Sequence, residues 1–277
     1  MKTLSWNCRE LGNPRTVQDL CHMAKEKRPN IVFLMETKIN SDRCGRVKRR
    51  LKFDGCFTVE PVGRKGGLAL MWDCDTYVEV LNYSLRHISA WITVEEGRRK
   101  WLLTGFYGEP EVNKREEAWR LLTSLKPEEN LGWCVIGDFN EILSQSEKIG
   151  GCLRQERLMD SFRGALESGG LFDLGWKGDK YTWSNKHEDN TFIKERLDRV
   201  VANIKWSEMF QGNEVEVLAA RSSDHKPIML STKQVDKRGW KGSRQFRYEA
   251  SWALEEECKV VLKRAWQNLS QNKMSME

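Results

Sequence analysis

Apolar residues recur along the first 232 positions at the two spacings that separate helices from strands. Pro14 opens a stretch in which Val17, Leu20, Cys21 and Ala24 fall at i, i+3, i+4 and i+7, and Pro29 closes it, which predicts an amphipathic helix. It lies between two strand-like runs, Thr3-Leu4-Ser5-Trp6 and Ile31-Val32-Phe33-Leu34-Met35, the second apolar at every position. From 55 to 107, apolar runs at 68–72, 77–81, 88–94 and 101–107 alternate with turn residues such as Gly66-Gly67 and predict consecutive antiparallel strands. A second helix is expected over 112–125, a strand over 133–136, and a third helix over 155–168 with Leu158, Phe162, Ala165 and Leu166 on one face. Short strands are expected near Leu171, Tyr181, Arg196 and Val215, and the globular pattern stops after the run 225–230. Helices mixed with blocks of strands predict an α/β fold of two packed sheets flanked by helices. Residues 233–247 read as a basic linker and 248–269 as an amphipathic helix, so the expected domains are 1–232 and 233–277.

Composition narrows the class. The 277 residues, 39% hydrophobic with 12 Trp and 10 Phe, supply a full core, and 31% charged residues make the surface strongly polar. The longest apolar runs fall far short of the roughly 20 residues that span a bilayer, so no membrane partner is expected. The N-terminus enters a strand-like run without the apolar stretch or cleavage site of a secretory signal, which predicts an intracellular protein of the nucleus or cytoplasm. Eight cysteines without a C-x-x-C pair argue against zinc and are expected as reduced thiols. The net charge of +6 is unevenly placed: Lys233, Lys237, Arg238, Lys241, Arg244 and Arg247 against Asp236 give +5 in one stretch, which leaves +1 for the rest.

Polar groups at the ends of these runs carry the candidate chemistry. Hydrolysis of a phosphodiester needs a positioned water, a charge clamp on the non-bridging oxygens and stabilisation of the leaving oxyanion. Glu36, at the exit of a buried strand, is a candidate Mg²⁺ ligand, and Asn7 and Asp224 are placed to complete the metal environment. Asp138 and Asn140 flank the apolar Phe139 in one strand-end turn, the first to orient and deprotonate water, the second to donate to a phosphate oxygen. His225 needs a carboxylate to hold its tautomer, and Asp198 is the candidate partner.

In order, Ser5-Trp6-Asn7-Cys8-Arg9, Phe33-Leu34-Met35-Glu36-Thr37-Lys38, Thr104-Gly105-Phe106-Tyr107-Gly108, Gly137-Asp138-Phe139-Asn140, Tyr181-Thr182-Trp183, Arg196-Leu197-Asp198-Arg199 and Ser223-Asp224-His225-Lys226-Pro227 resemble the endonuclease/exonuclease/phosphatase superfamily. The set is most similar to the endonuclease domain of LINE-type non-LTR retrotransposon polyproteins of plants. The stretch 246–266 resembles the connector that precedes their reverse transcriptase, so the chain is expected to be an excised domain with part of its linker. The resemblance implies a four-layer α/β sandwich of two mixed β-sheets flanked by helices, with the site at one end. It implies a Mg²⁺-dependent DNA endonuclease, Mn²⁺ being an alternative ion, with DNA and a linked reverse transcriptase as partners. On this likeness Asn7, Glu36 and Asp224 serve the metal, Asp138 activates water, and His225, oriented by Asp198, binds or protonates a phosphate oxygen. Tyr107, Asn140 and Thr182 contact the scissile phosphate, and Arg9 and Ser223 join the substrate-binding set. Two residues depart from the pattern: Glu10 stands where Gly is usual, and Glu109 where a carboxylate is not, each expected to bring negative charge towards an incoming phosphate. Two alternatives are a phosphatase or phosphodiesterase acting on a small or lipid phosphate, and an inactive nucleic-acid-binding domain.

Overall fold

The computed structural model describes residues 1–63, 65–94 and 99–232. The first strands and helices are β1 (Lys2–Asn7), α1 (Pro14–Lys27), β2 (Ile31–Met35), α2 (Ser41–Leu51), β3 (Gly55–Val59) and β4 (Leu68–Trp72). Then come β5 (Tyr77–Ser84), β6 (His87–Val94), β7 (Arg99–Tyr107), α3 (Arg115–Ser124), β8 (Trp133–Asp138), β9 (Lys148–Ile149) and α4 (Glu156–Gly169). The last are β10 (Phe172–Asp173), β11 (Trp183–Ser184), β12 (Lys194–Glu195), β13 (Asp198–Ala202), α5 (Ile204–Met209), β14 (Glu214–Val217) and β15 (Ile228–Ser231). One six-stranded sheet has the order β14-β15-β1-β2-β4-β3 and the other β10-β13-β8-β7-β6-β5, with a small third sheet, β11-β12-β9. The pairs β1 with β2 and β7 with β8 are parallel and their neighbours antiparallel, so both large sheets are mixed.

Strand alternation builds the layers. Along β2, Ile31, Phe33 and Met35 enter a core between the two sheets with Ile88, Leu103, Ile136 and Leu230. Val32 and Leu34 point the other way, onto Val17 and Leu20 of α1 and Val47 of α2. On the second sheet, Phe106, Val135 and Val201 face Trp119 and Leu122 of α3 and Phe162 of α4. A strand apolar at every position is what burial on both faces requires, and the result is a four-layer sandwich. At Gly105 a Cβ would lie 2.4 Å from the Phe33 ring, so the missing side chain admits that ring between the sheets.

Two helices go beyond the apolar pattern. α2 buries only Cys44 and Val47 among charged residues, and it starts because the Asn40 side chain accepts from Arg43 N at 3.1 Å. α5 has six residues and is pinned by buried Trp206, with Asn203 as its cap. The 112–125 helix begins at Arg115, after a 3-10 turn over Val112–Lys114. The strands between 55 and 107 are antiparallel neighbours as expected, but they divide between the sheets after β4. The basic linker and the helix expected over 233–269 lie outside the described residues, among which no helix is long and apolar enough to cross a membrane.

Candidate active site

Register brings the polar strand ends together. Parallel pairing aligns the C-terminal ends of β1 with β2 and of β7 with β8, placing Asn7 opposite Met35 and Tyr107 opposite Asp138. Asp198, at the start of β13, is the antiparallel partner of Asp138. The two sheets meet at this end, where Asp138 N donates to Met35 Sδ at 3.4 Å. An isolated bridge between Trp183 and His225 carries the histidine in from the far edge. Arg9, Glu36 and Asn140 all have positive φ, at 53°, 54° and 55°, so the backbone turns sharply just past these strand ends.

Asp138, fully buried, forms the floor. Its Oδ2 accepts from Asn7 Nδ2 at 2.9 Å, its Oδ1 accepts from Asn140 N at 2.9 Å, and His225 Nε2 lies 3.7 Å away. His225 Nδ1 stands 2.9 Å from Asp198 Oδ2. Burial works against a charged imidazole, but Asp198 and then Asp138 outweigh it and hold His225 up at about 9. Burial likewise pushes the Asp138 carboxyl up to about 6, Asp198 adding to it against His225 and Asn7. Asp138, Asp198 and His225 offer ligand atoms within 4.8 Å of one another. Each is already hydrogen-bonded as one part of an acid and base pair.

Above this floor opens a cleft of about 780 Å³, lined by Asn7, Glu36, Tyr107, Asn140, Asp224 and His225 among others. Tyr107 OH donates to Glu36 Oε1 at 2.9 Å, and Gly66 N donates to the same oxygen at 3.1 Å. Burial, with Asp138 and Glu36 beside it, raises the Tyr107 pKa and keeps the phenol a neutral donor. Asp224 accepts from Trp183 Nε1 at 2.9 Å and pairs with Arg9. Burial alone would raise the Asp224 pKa, yet His225, Trp183 and Arg9 hold it below the ordinary carboxylate value. The oxygen donors expected to serve a metal, those of Glu36, Asn7 and Asp224, suit a divalent cation in kind. Asn7 Oδ1 is a buried acceptor with no hydrogen-bond partner among the described residues, and the donors are all hard oxygens.

Two expected substrate contacts have a different placement. Thr182 is fully buried, and its hydroxyl accepts from the backbone N–H groups of Leu197 at 3.0 Å and Asp198 at 2.9 Å. Closed off from the cleft, it fixes the turn that delivers Asp198. Ser223 is buried too: its Oγ donates to Asn7 O at 2.8 Å and accepts from His225 N at 3.1 Å, tying the histidine loop to β1. Asn140 Nδ2 donates to Gly108 O at 3.0 Å at the cleft surface, and Arg9 is exposed there. The charge expected from Glu109 is cancelled within the wall: it is buried against Arg86, which also lies 5.4 Å over the Tyr107 ring. Glu10 is exposed and does not line the cleft. Arg86, Arg115 and Arg154 also line the cleft and stand out from no local pattern, because each takes its carboxylate partner from another segment of the chain, Arg86 from Glu109, Arg115 from Glu141 and Arg154 from both Glu141 and Glu195.

Comparison with known proteins bears on the family and the fold. A model of the Endonuclease/Exonuclease/phosphatase family matches residues 4–225. No curated protein matches the chain. Among solved structures it is similar to the endonuclease domain of TRAS1, a telomere-specific non-LTR retrotransposon, with a TM-score of 0.60 and 16% identity over 84% of this chain and 99% of that one. It is similar to a 3'-5' exonuclease from Neisseria meningitidis, with a TM-score of 0.62 and 18% identity over 84% of this chain and 99% of that one. An AP endonuclease from Archaeoglobus fulgidus gives a TM-score of 0.65 and 14% identity over the same shares, 84% and 99%. At these identities the likeness is one of fold.

Proposed function

The chain belongs to the endonuclease/exonuclease/phosphatase family, and from that premise we propose that it is a Mg²⁺-dependent DNA endonuclease that nicks one strand, leaving a 3′-hydroxyl and a 5′-phosphate. The observation that carries this reading is the coupled floor of the cleft, where Asn7 orients Asp138 and Asp198 orients His225. Asp138 has a pKa of about 6, so it is largely ionised at neutral pH and still basic enough to take a proton from an attacking water. His225, near 9, is protonated there and presents Nε2 as a cationic donor to a phosphate oxygen. Water adds to phosphorus, the bond to the 3′ oxygen breaks, and the leaving oxygen ends protonated. Tyr107 holds Glu36 in place from the cleft wall, and Asn140, locked to Gly108, closes the side where the phosphate enters. A divalent cation held by Glu36, Asn7 and Asp224 would supply positive charge to the phosphate oxygens.

The test is nicking of supercoiled plasmid by the full chain with Mg²⁺, with EDTA, and with Asp138→Ala and His225→Ala variants shown to fold. Nicking that needs the ion and both side chains is the expected result. Folded wild-type protein that never nicks removes the endonuclease reading and leaves phosphatase chemistry or DNA binding alone. On the same reading the nucleus is the place of work and a reverse transcriptase is the covalent partner, as in target-primed retrotransposition. A tagged full chain that stays out of nuclei would count against the nuclear part.

A further inference from the structure

Apart from the Asp138 and His225 floor, the cleft wall holds a second cluster of charge. Arg115 opens α3, Lys148 and Arg154 flank the Gly150-Gly151 turn, and all three line the cleft. Arg115 pairs with Glu141 and Lys148 with Glu195, while Arg154 bridges the two carboxylates at 3.0 Å to Glu141 and 2.7 Å to Glu195. Three cations therefore face two carboxylates, and none of the five side chains is more than 17% exposed.

Neighbouring charges do not absorb the surplus. Glu109 is matched by Arg86 and Glu111 by Lys114, while Glu147 and Asp173 are matched by Arg196 and Arg199. The wall is also held rigidly. A Cβ on Gly150 would lie 1.9 Å from Phe192 O, Arg154 N donates to Gln145 Oε1 at 2.9 Å, and Arg115 Nε donates to Glu109 O at 3.1 Å. Burial lowers the Arg115 pKa, and Arg154 adds to that against the pull of Glu141. A largely buried cation in excess of its partners is costly unless an anion completes the set.

We propose that this surplus is a second phosphate subsite, which takes the anionic oxygens of one phosphodiester in a polynucleotide strand at a linkage other than the one cleaved. The inference rests on the nuclease reading. Lys148 is the group that delivers the charge: it has one carboxylate partner, three rotatable donors, and its removal leaves Arg115 and Arg154 balanced against Glu141 and Glu195.

The experiment measures binding of the full chain in EDTA, by fluorescence anisotropy, to duplexes that each carry one neutral methylphosphonate linkage. In the wild type, one position is expected to weaken binding about tenfold. Lys148→Met should bind the fully charged duplex about tenfold more weakly, ignore the neutral linkage at that position, and show a salt slope shallower by about 0.9. Lys148→Arg should restore the response, and the melting temperature of Lys148→Met should stay at the wild-type value because its network is neutral. A Lys148→Met protein that melts lower yet responds to every neutral linkage as the wild type does would make the cluster a structural brace and overturn the subsite. A chain that nicks plasmid without this coupling loses the subsite alone. One that neither nicks nor binds duplex loses the nuclease reading with it.

Discussion

His225 and Asp138 carry unlike charges in one buried site, and their pKa values set the pH range of the chemistry. If, as proposed, Asp138 near 6 is the base and His225 near 9 the acid, kcat/KM for nicking should rise through about pH 6 and fall through about pH 9, the limbs belonging to the coupled pair. Asp198→Asn removes the carboxylate that most raises the histidine, so the alkaline limb should move to lower pH; a limb that stays put would detach His225 from it. Stability follows the same groups. His225 stands above its ordinary 6.5, so its contribution to folding is complete below that value and is lost as pH rises through about 9. Asp138 stands above its ordinary 3.8, so burying its charge subtracts stability as pH rises through about 6. Thr182 acts through another residue. Thr182→Val leaves the N–H groups of Leu197 and Asp198 without an acceptor and should cost about 1–3 kcal/mol in urea unfolding, with kcat falling more than KM changes, whereas Thr182→Ser keeps both bonds. Thr182 could be placed at the site from its motif, but the direction of its hydroxyl is set by β12 and the turn after it, which no local pattern reveals.

Strands were more legible than the helices between them, because strand burial repeats every second residue and leaves a dense signal. β2 is apolar throughout and faces two cores, while α2 spends most of its length on charge and touches the core through Cys44 and Val47. No helix was expected there, since what starts α2 is a cap at Asn40, and a cap without an apolar stripe is weak evidence in a sequence. Glycines at the strand ends carry a comparable constraint. A Cβ on Gly108 would stand 2.2 Å from Phe139 O, and on Gly137 1.9 Å from Phe106 O, so β7 and β8 deliver Tyr107 and Asp138 only because both positions lack a side chain. Gly108→Ala and Gly137→Ala should each cost about 1–3 kcal/mol in urea unfolding and reduce nicking beyond that loss. Gly45, inside α2, meets nothing within 4 Å, and Gly45→Ala should stabilise the protein by about 0.5–1 kcal/mol. Equal effects at the three positions would show that approach of the strand ends is not what those glycines serve.

Across the whole molecule, the site depends on closure between distant parts of the chain. Asn7 meets Asp138 across 131 positions, and Ser223 reaches back 216 to hold Asn7. The ordered motifs foretold that convergence, since they match a family whose fold places them at one end of two sheets. The pairings that neutralise the cleft wall, Arg86 with Glu109 and Arg115 with Glu141, were not foretold, because charge in a sequence carries no address. Charge also distinguishes the described fold from the residues beyond Thr232. The stretch 233–247 holds +5 of the net +6, and the residues that the family model matches, 4–225, lie before it. A chain ending at Thr232 should therefore keep the melting temperature and the low-salt nicking rate of the full protein. If the basic stretch meets phosphates, the slope of log affinity against log salt should become shallower by about 0.9 for each phosphate that the shortened chain no longer neutralises. An unchanged slope would assign the phosphate contacts to the cleft and its rim, where Arg9, Lys38, Lys65 and Lys148 stand. Lower stability in the shortened chain would instead show that 233–277 supports the fold, and the expected boundary after residue 232 would be wrong.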